Sequence, residues 1–299
     1  MTWLENLFNF LALSLLRLFA FLPYSISIQT GYGLGWLAAH IPSDRAKVVK
    51  TNLRLCFPHL SKKEIDTLAL EHWKLFGRSV IERSRVWLGT SNQILSFVHL
   101  ESAVPLGDRK PRILVNPHFV GLEGGFMALS ALGMKNGWPR GAGLYQKMKN
   151  PFFNQKMVEW RDRFGAKSIE RQSRLRDLIR ETRAGNFVVI APDIDLGPRD
   201  SIFVPFFEIP TSTVTSVSRL AKLSGAEVCL MTTLLNPKKT GYICTISPPL
   251  PDFPSDDPEK DTARLNLWIE ELVRQRPAEY YWVHKRFKHR PPGEPSLYK

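Results

Sequence analysis

A histidine and a glutamate stand five residues apart in the stretch NPHFVGLEGG, which covers residues 116–125. A short apolar run, Arg112–Val115, precedes them, and a helix-like segment follows from about Leu122. Open α/β sheets place their sites at the carboxyl ends of strands, which is where His118 stands. Glu123 would lie in the first turn of the helix, within reach of His118. A carboxylate bonded to one ring nitrogen of histidine fixes the tautomer and leaves the other nitrogen as a base. The spacing therefore predicts a catalytic dyad.

The dyad has no nucleophile of its own, because no Ser or Cys lies beside His118 in the sequence. We therefore expect the nucleophile to be a hydroxyl group of the substrate, activated for attack on a carbonyl carbon. A purely structural interpretation stays open at this point. In it His118 caps the helix and Glu123 is a first-turn acid favoured by the helix dipole.

Basic residues are concentrated between Arg140 and Arg180, where eleven Lys or Arg face four acids. Arg161 and Arg163, just before a Phe-Gly break, have the spacing of a bidentate phosphate clamp. The alternative for most of this region is a solvated helix face.

Two aspartates, Asp193 and Asp195, follow the strongest predicted strand, 187–191. They are candidates for substrate binding, with a turn or a cap as the structural alternative. They also suit a metal-dependent glycosyltransferase, in which two acids hold a divalent ion. The aromatic segment Phe203–Phe207 predicts either the wall of an acyl-chain site or a core strand.

The rest of the chain predicts a mixed α/β sheet covered by helices, because short apolar runs alternate with helical patterns. A long amphipathic helix is expected from Ser61, with Glu64 completing a capping box, to about Gly89. Further helices are expected near 174–183, 212–223 and 257–274.

The N-terminal region, residues 1–60, is predicted to associate with a membrane, and residues 61–299 to form the α/β domain. The run Leu7–Pro23 is almost entirely apolar but short for a perpendicular span. Basic residues at 45, 47, 50 and 54 follow a second uncharged run and would attract anionic lipid. A secretory signal fits poorly, because no basic segment precedes the apolar run. A buried core helix is the alternative.

The composition narrows the function classes. A formal charge of +13 points to anionic partners or surroundings. Nucleic acid is disfavoured, because the aromatic residues cluster in apolar runs and no nucleic-acid motif appears. The three cysteines lack metal-ligand spacing, so neither a disulfide framework nor a zinc site is expected.

Three blocks of residues together resemble the bacterial lipid A biosynthesis acyltransferases of the lauroyl and myristoyl type, within the lysophospholipid acyltransferase superfamily. The first is His118-x4-Glu123. The second is Lys149-Asn-Pro, followed by Arg161-x-Arg163-Phe-Gly. The third is Pro192-Asp-x-Asp-x-Gly197, which leads into Phe203–Phe207. The C-terminal stretch beginning at Tyr281 is also similar.

The resemblance implies a glycerol-3-phosphate-acyltransferase-like fold and transfer of a fatty acyl chain from acyl carrier protein to a lipid A precursor, without a cofactor. It places the protein at the cytoplasmic face of the bacterial inner membrane. It implies His118 as general base and Glu123 as its orienting acid, with Arg161 and Asp193 contributing to the site. Lys149 and Arg163 are predicted to bind substrate. An acyltransferase acting on a lysophospholipid or an amino-acid-linked lipid remains an alternative.

Overall fold

A computed structural model describes residues 3–171, 175–198 and 200–298 of the chain. The helices, in chain order, are α1 (Trp3–Phe21), α2 (Tyr24–His40), α3 (Asp44–Cys56), α4 (Lys62–Leu88), α5 (Ser91–Leu95), α6 (Leu122–Asn136), α7 (Pro151–Asp162), α8 (Leu175–Arg183), α9 (Ser216–Ser224) and α10 (Pro258–Gln275). The strands are β1 (Val98–Ser102), β2 (Arg112–Val115), β3 (Gly141–Tyr145), β4 (Lys167–Glu170), β5 (Phe187–Ile190), β6 (Ser201–Phe206), β7 (Ile209–Val214), β8 (Glu227–Leu235) and β9 (Tyr242–Pro249).

Seven strands form one sheet in the order β1-β9-β8-β2-β5-β3-β4, and β6 and β7 form a separate antiparallel hairpin. Within the larger sheet β8 and β9 run antiparallel and the other neighbouring pairs run parallel. The predicted mixed α/β sheet covered by helices is confirmed.

The central strands are short continuous apolar runs because helices cover both of their faces. Leu114 of β2 packs into a cluster that contains Phe126 and Met127 of α6. Its neighbours on the strand, Ile113 and Val115, pack with residues of α8 and α9 on the other face. The alternation of side chains along β2 thus divides the core into two layers.

The predicted long helix is confirmed as α4, and its capping box is present. Ser61 Oγ accepts a hydrogen bond from the Glu64 backbone N–H at 3.3 Å, and the Glu64 carboxylate accepts one from the Ser61 N–H at 2.7 Å. Helix α4 packs on α2 at close range. An added Cβ on Gly35 would lie 2.1 Å from the Trp73 carbonyl oxygen, so the helix backbones touch there.

Helix α1 has the length and apolar composition to cross a membrane, and most of its residues are exposed. The exposed apolar residues are Trp3, Leu4, Leu7, Phe8, Phe10, Leu11, Leu15, Leu18 and Phe21. This surface fits the predicted membrane-associating segment and differs from a buried core helix. Two α1 residues are buried, Asn9 and Ala20.

The region after β5 differs from the sequence-based expectation. The helix expected at 212–223 begins at Ser216, because 209–214 form strand β7. The aromatic segment is β6 with the turn that follows, and Phe206 is fully buried, so the core-strand interpretation holds for it. Helix α8 begins at Leu175; Arg174, included in its predicted span, lies outside the described residues.

Candidate active site

The carboxyl ends of four adjacent parallel strands, β2, β5, β3 and β4, carry the polar residues of the site. His118 follows β2 and Asp193 follows β5. Lys149 follows β3 in an exposed loop, and Arg171 follows β4. Because β2 and β5 are neighbours, their following segments meet at the same edge.

His118 is held at two points by one carboxylate, that of Asp193. The His118 backbone N–H donates to Asp193 Oδ2 at 2.8 Å, and His118 Nδ1 lies 2.8 Å from Asp193 Oδ1. The Asp193 side chain is 1% exposed, whereas the His118 side chain is 26% exposed. The histidine therefore presents an accessible ring edge in front of a buried acid.

The partner of Nδ1 determines which ring nitrogen of His118 keeps a free lone pair. Burial raises the pKa of Asp193, but the charge and hydrogen bonds of His118, together with the charge of Arg286, outweigh it and leave the pKa below its ordinary value. An ionised carboxylate only accepts hydrogen bonds, so in the neutral imidazole Nδ1 carries the hydrogen. Nε2 is then the free basic nitrogen.

The predicted hydrogen bond between His118 and Glu123 is wrong. The Glu123 carboxylate accepts two hydrogen bonds from Arg161, one from Nε at 2.7 Å and one from Nη2, and a third from Trp87 Nε1 at 2.7 Å. Helix α6 begins at Leu122 after Gly121, so Glu123 is a first-turn acid, and the helix has no side-chain cap. The Glu123 side chain therefore contacts residues of α4 and α7, and its hydrogen bonds go to these helices instead of the His118 ring.

Glu123 joins three helices at one partly buried point. Trp87 comes from α4 and Arg161 from the last turn of α7. Burial raises the pKa of Glu123, but the charge and hydrogen bonds of Arg161 overcome this effect and lower the pKa to about 2. The Trp87 ring also stacks on Trp160, with centroids 5.4 Å apart. Glu123 thus links α6 to α4 and α7, and the Arg161 guanidinium is engaged by a carboxylate of the protein itself.

Arg163 is also engaged within the protein. Its Nη2 donates to the Val86 carbonyl oxygen at 2.9 Å, and its guanidinium lies 4.1 Å from the Phe164 ring centroid. Burial lowers the pKa of Arg163 to about 10. Both arginines of the predicted phosphate clamp thus make contacts within the protein, and phosphate binding by them stays a prediction. Lys149 remains exposed at the sheet edge.

The sequence interpretation missed the C-terminal segment that closes the site. The Tyr281 backbone N–H donates to the His118 carbonyl oxygen at 2.9 Å, and the two rings lie 5.8 Å apart. His284 Nε2 accepts a hydrogen bond from the Asp195 N–H at 3.1 Å. His289 contacts the Asp195 carboxylate. The family likeness of the stretch from Tyr281 was the signal that could have indicated this role, but no local pattern marks His284 or His289.

The sequence profile of the bacterial lipid A biosynthesis acyltransferase family matches residues 2–289. The chain is 32% identical over 299 residues to the lipid A biosynthesis lauroyltransferase of Escherichia coli K12, covering 97% of this chain and 94% of that protein. It is 28% identical to the palmitoleoyltransferase of the same organism, with 96% and 92% covered, and 26% identical to the myristoyltransferase, with 89% and 82% covered.

The site thus contains a histidine held by a buried acid at the carboxyl edge of an α/β sheet, in a protein whose N-terminal helix exposes an apolar surface. The chain belongs to the bacterial lipid A biosynthesis acyltransferase family. The named relatives transfer three different acyl chains.

Proposed function

We propose that this protein transfers a fatty acyl chain from an acyl carrier protein to a hydroxyl group of a lipid A precursor, at the cytoplasmic face of the bacterial inner membrane. Family membership supports the reaction class and the lipid acceptor. The observation that carries the mechanism is the His118 ring, whose Nδ1 lies 2.8 Å from the buried Asp193 carboxylate and whose other edge is accessible.

In the proposed reaction, His118 Nε2 removes the proton from the acceptor hydroxyl as its oxygen attacks the thioester carbonyl carbon. The Asp193 carboxylate stabilises the imidazolium that forms. The tetrahedral intermediate then expels the carrier thiolate as its C–S bond breaks, and the imidazolium returns the proton to the sulfur. An ester and a free thiol result, and no covalent acyl-enzyme forms.

In this proposal Glu123 and Arg161 position the site and do not take part in proton transfer. Their ion pair fixes the first turn of α6, which begins four residues after His118, against the end of α7. Lys149 and Lys147 are exposed cations at the sheet edge, and in this proposal they hold the anionic saccharide of the acceptor. Attraction of this kind, and that of the basic surface for an acidic carrier protein, weakens as salt is added.

The test incubates membranes containing the protein with a lipid A precursor and a series of acyl-carrier thioesters, and weighs the lipid products. The expected result is a mass increase equal to one acyl chain. His118→Ala should lower turnover by about 100-fold to 10,000-fold. His99→Ala, which changes an exposed histidine on β1, is the matched control and should leave turnover unchanged.

Parallel incubations separate the alternatives. If a lysophospholipid or an amino-acid-linked lipid is acylated and the lipid A precursor is not, the proposed acceptor is wrong and the acylated lipid takes its place. Glycosyl transfer that stops in chelator would favour the glycosyltransferase interpretation of Asp193 and Asp195. Near-normal acyl transfer by folded His118→Ala would refute the general base.

A further inference from the structure

A second histidine and aspartate repeat the geometry of the first pair. The His289 backbone N–H donates to Asp195 Oδ2 at 2.8 Å, and His289 Nδ1 lies 2.7 Å from Asp195 Oδ1. The Asp195 side chain is 0% exposed and that of His289 is 36% exposed. One carboxylate again holds one histidine through both its backbone and its ring.

Residue 195 is fixed at two further points. Asp195 Oδ1 accepts a hydrogen bond from the Gly197 N–H at 3.0 Å, and the Asp195 N–H donates to His284 Nε2 at 3.1 Å. His284 can accept this bond because it is neutral. Burial, with a smaller effect of the nearby positive charge of Arg286, lowers the pKa of His284 to about 4.

These contacts matter because the segment that carries both aspartates lies outside the sheet. Strand β5 ends at Ile190, and residues 191–197 have no regular secondary structure. No strand ladder therefore fixes Asp193, and only Ile194 separates it from Asp195. Ile194 and His284 line the same small enclosed space as His118. A shift at Asp195 would pass through one residue to the acid that holds the His118 ring.

We propose that His289 and Asp195 form a positioning clamp that sets the Asp193 carboxylate, and through it the orientation and tautomer of His118. The inference rests on the proposed role of His118. His289 does not touch the reacting atoms in this proposal. Its clamp supplies, from the C-terminal segment, the rigidity that a strand supplies elsewhere in the sheet. Misplacement of a reacting group by about 1 Å can cost on the order of 100-fold in rate.

The test compares His289→Ala with His289→Asn, whose amide nitrogen can replace the Nδ1 donor. Both are purified with the full chain, and thermal melts establish the folded fraction. We expect His289→Ala to lower kcat by about 10-fold to 100-fold, with KM changed less than about three-fold. His289→Asn should recover most of the lost kcat. Nitrogen-15 NMR of the His118 ring should show the Nδ1–H tautomer in the wild type and a mixture in His289→Ala.

Three outcomes would overturn the clamp: full kcat in folded His289→Ala, a rise in KM alone, or an unchanged His118 tautomer. The second would mean that His289 contacts substrate. If His289→Ala does not fold, the same measurements of kcat, KM and the His118 tautomer are made on His289→Asn and Asp195→Asn. An unaltered His118 tautomer in Asp195→Asn would reject the clamp. His99→Ala is the control. Activity of His118→Ala is measured alongside, because its retention would reject the proposed site itself, whatever His289 does.

Discussion

Glu123 and Arg161 form a two-point ion pair that links the first turn of α6 to the last turn of α7. The side chains are 12% and 21% exposed, so the pair is largely removed from water. Removing one member of such a pair leaves the other charge buried without compensation, which is more costly than the pair is stabilising.

Each single substitution should therefore destabilise the fold strongly, and the double substitution should cost less than the sum of the two single losses. Glu123→Gln and Arg161→Gln should each lower the free energy of unfolding by about 3 kcal/mol, with the double variant losing much less than the sum. Urea unfolding measures the three values. Lys156→Gln breaks an exposed ion pair with Glu159 and should cost less than about 1 kcal/mol. Additive losses at 123 and 161 would contradict the coupling.

Asp193 should matter for turnover through the His118 tautomer. Asp193→Asn keeps the shape of the side chain but removes the charge that stabilises the imidazolium, so we expect kcat to fall by about 100-fold or more. The measurement is steady-state acyl transfer by protein whose melting curve matches the wild type. Asp177→Asn, on α8, is the control and should keep full kcat. Wild-type kcat in Asp193→Asn would remove Asp193 from the mechanism.

His72 should make the protein less stable in mild acid. Its Nδ1 lies 3.1 Å from the Ala278 carbonyl oxygen, and burial lowers its pKa to about 4. The ordinary pKa in the unfolded chain is about 6.5, so between these values the unfolded state binds a proton that the folded state does not. Stability contributed by neutral His72 is therefore present above about pH 6.5 and is lost as pH falls towards 4.

His72→Asn tests this titration, because the amide can keep the bond to the Ala278 carbonyl without taking up a proton. Between about pH 4.5 and 6, the slope of unfolding free energy against pH should become smaller by up to about 1.4 kcal/mol per pH unit. Urea unfolding at several pH values measures the slope. His99→Asn is the exposed control, and a wild-type slope in His72→Asn would show that another group dominates.

The close contact between α2 and α4 depends on glycines, because any larger residue would bring a Cβ into the neighbouring helix. Gly35→Ala should lower the free energy of unfolding by about 1–3 kcal/mol, because the new methyl group would lie 2.1 Å from the Trp73 carbonyl oxygen. Gly33→Ala is the matched control on the same helix, since nothing lies within 4 Å of its added Cβ. It should be neutral or slightly stabilising. Thermal melts in detergent compare the two, and equal melting temperatures would contradict the close packing.

The sequence predicted local features well, but it did not predict which side chains contact each other across the fold. The capping box of α4 and the buried runs of β2 and β5 are short-range signals, and all are present. The partner of His118 was assigned to Glu123, five residues away, yet the acid that holds it is 75 residues away. β5 lies beside β2 in the sheet although β3 and β4 come between them in the chain. Periodicity carries no information about that strand order.

The second pair was hidden for the same reason. His289 and Asp195 are 94 residues apart, and a histidine within a basic tail has no local pattern that distinguishes it. Likewise the sequence predicted a phosphate clamp at Arg161 and Arg163 within a largely solvated basic region. Arg161 pairs with Glu123, and elsewhere in that region Arg140 and Lys167 both pair with Glu181. Charge counts do not show which cations are already neutralised inside the fold.

The one buried polar residue of α1, Asn9, accepts a hydrogen bond at 2.9 Å from the side-chain amide of Asn150, which caps the first turn of α7. Helix α7 carries Arg161 in its last turn, and α4, against which α1 also packs, carries Trp87. Helix α1 therefore contacts two of the three helices that meet at Glu123. Removing α1 would take a hydrogen bond from the side chain that caps α7, in addition to removing the exposed apolar surface of α1. A foreign apolar helix fused in its place would restore that surface but leave the Asn150 side-chain amide without its Asn9 partner, so α1 contributes to the fold as well as to the apolar surface.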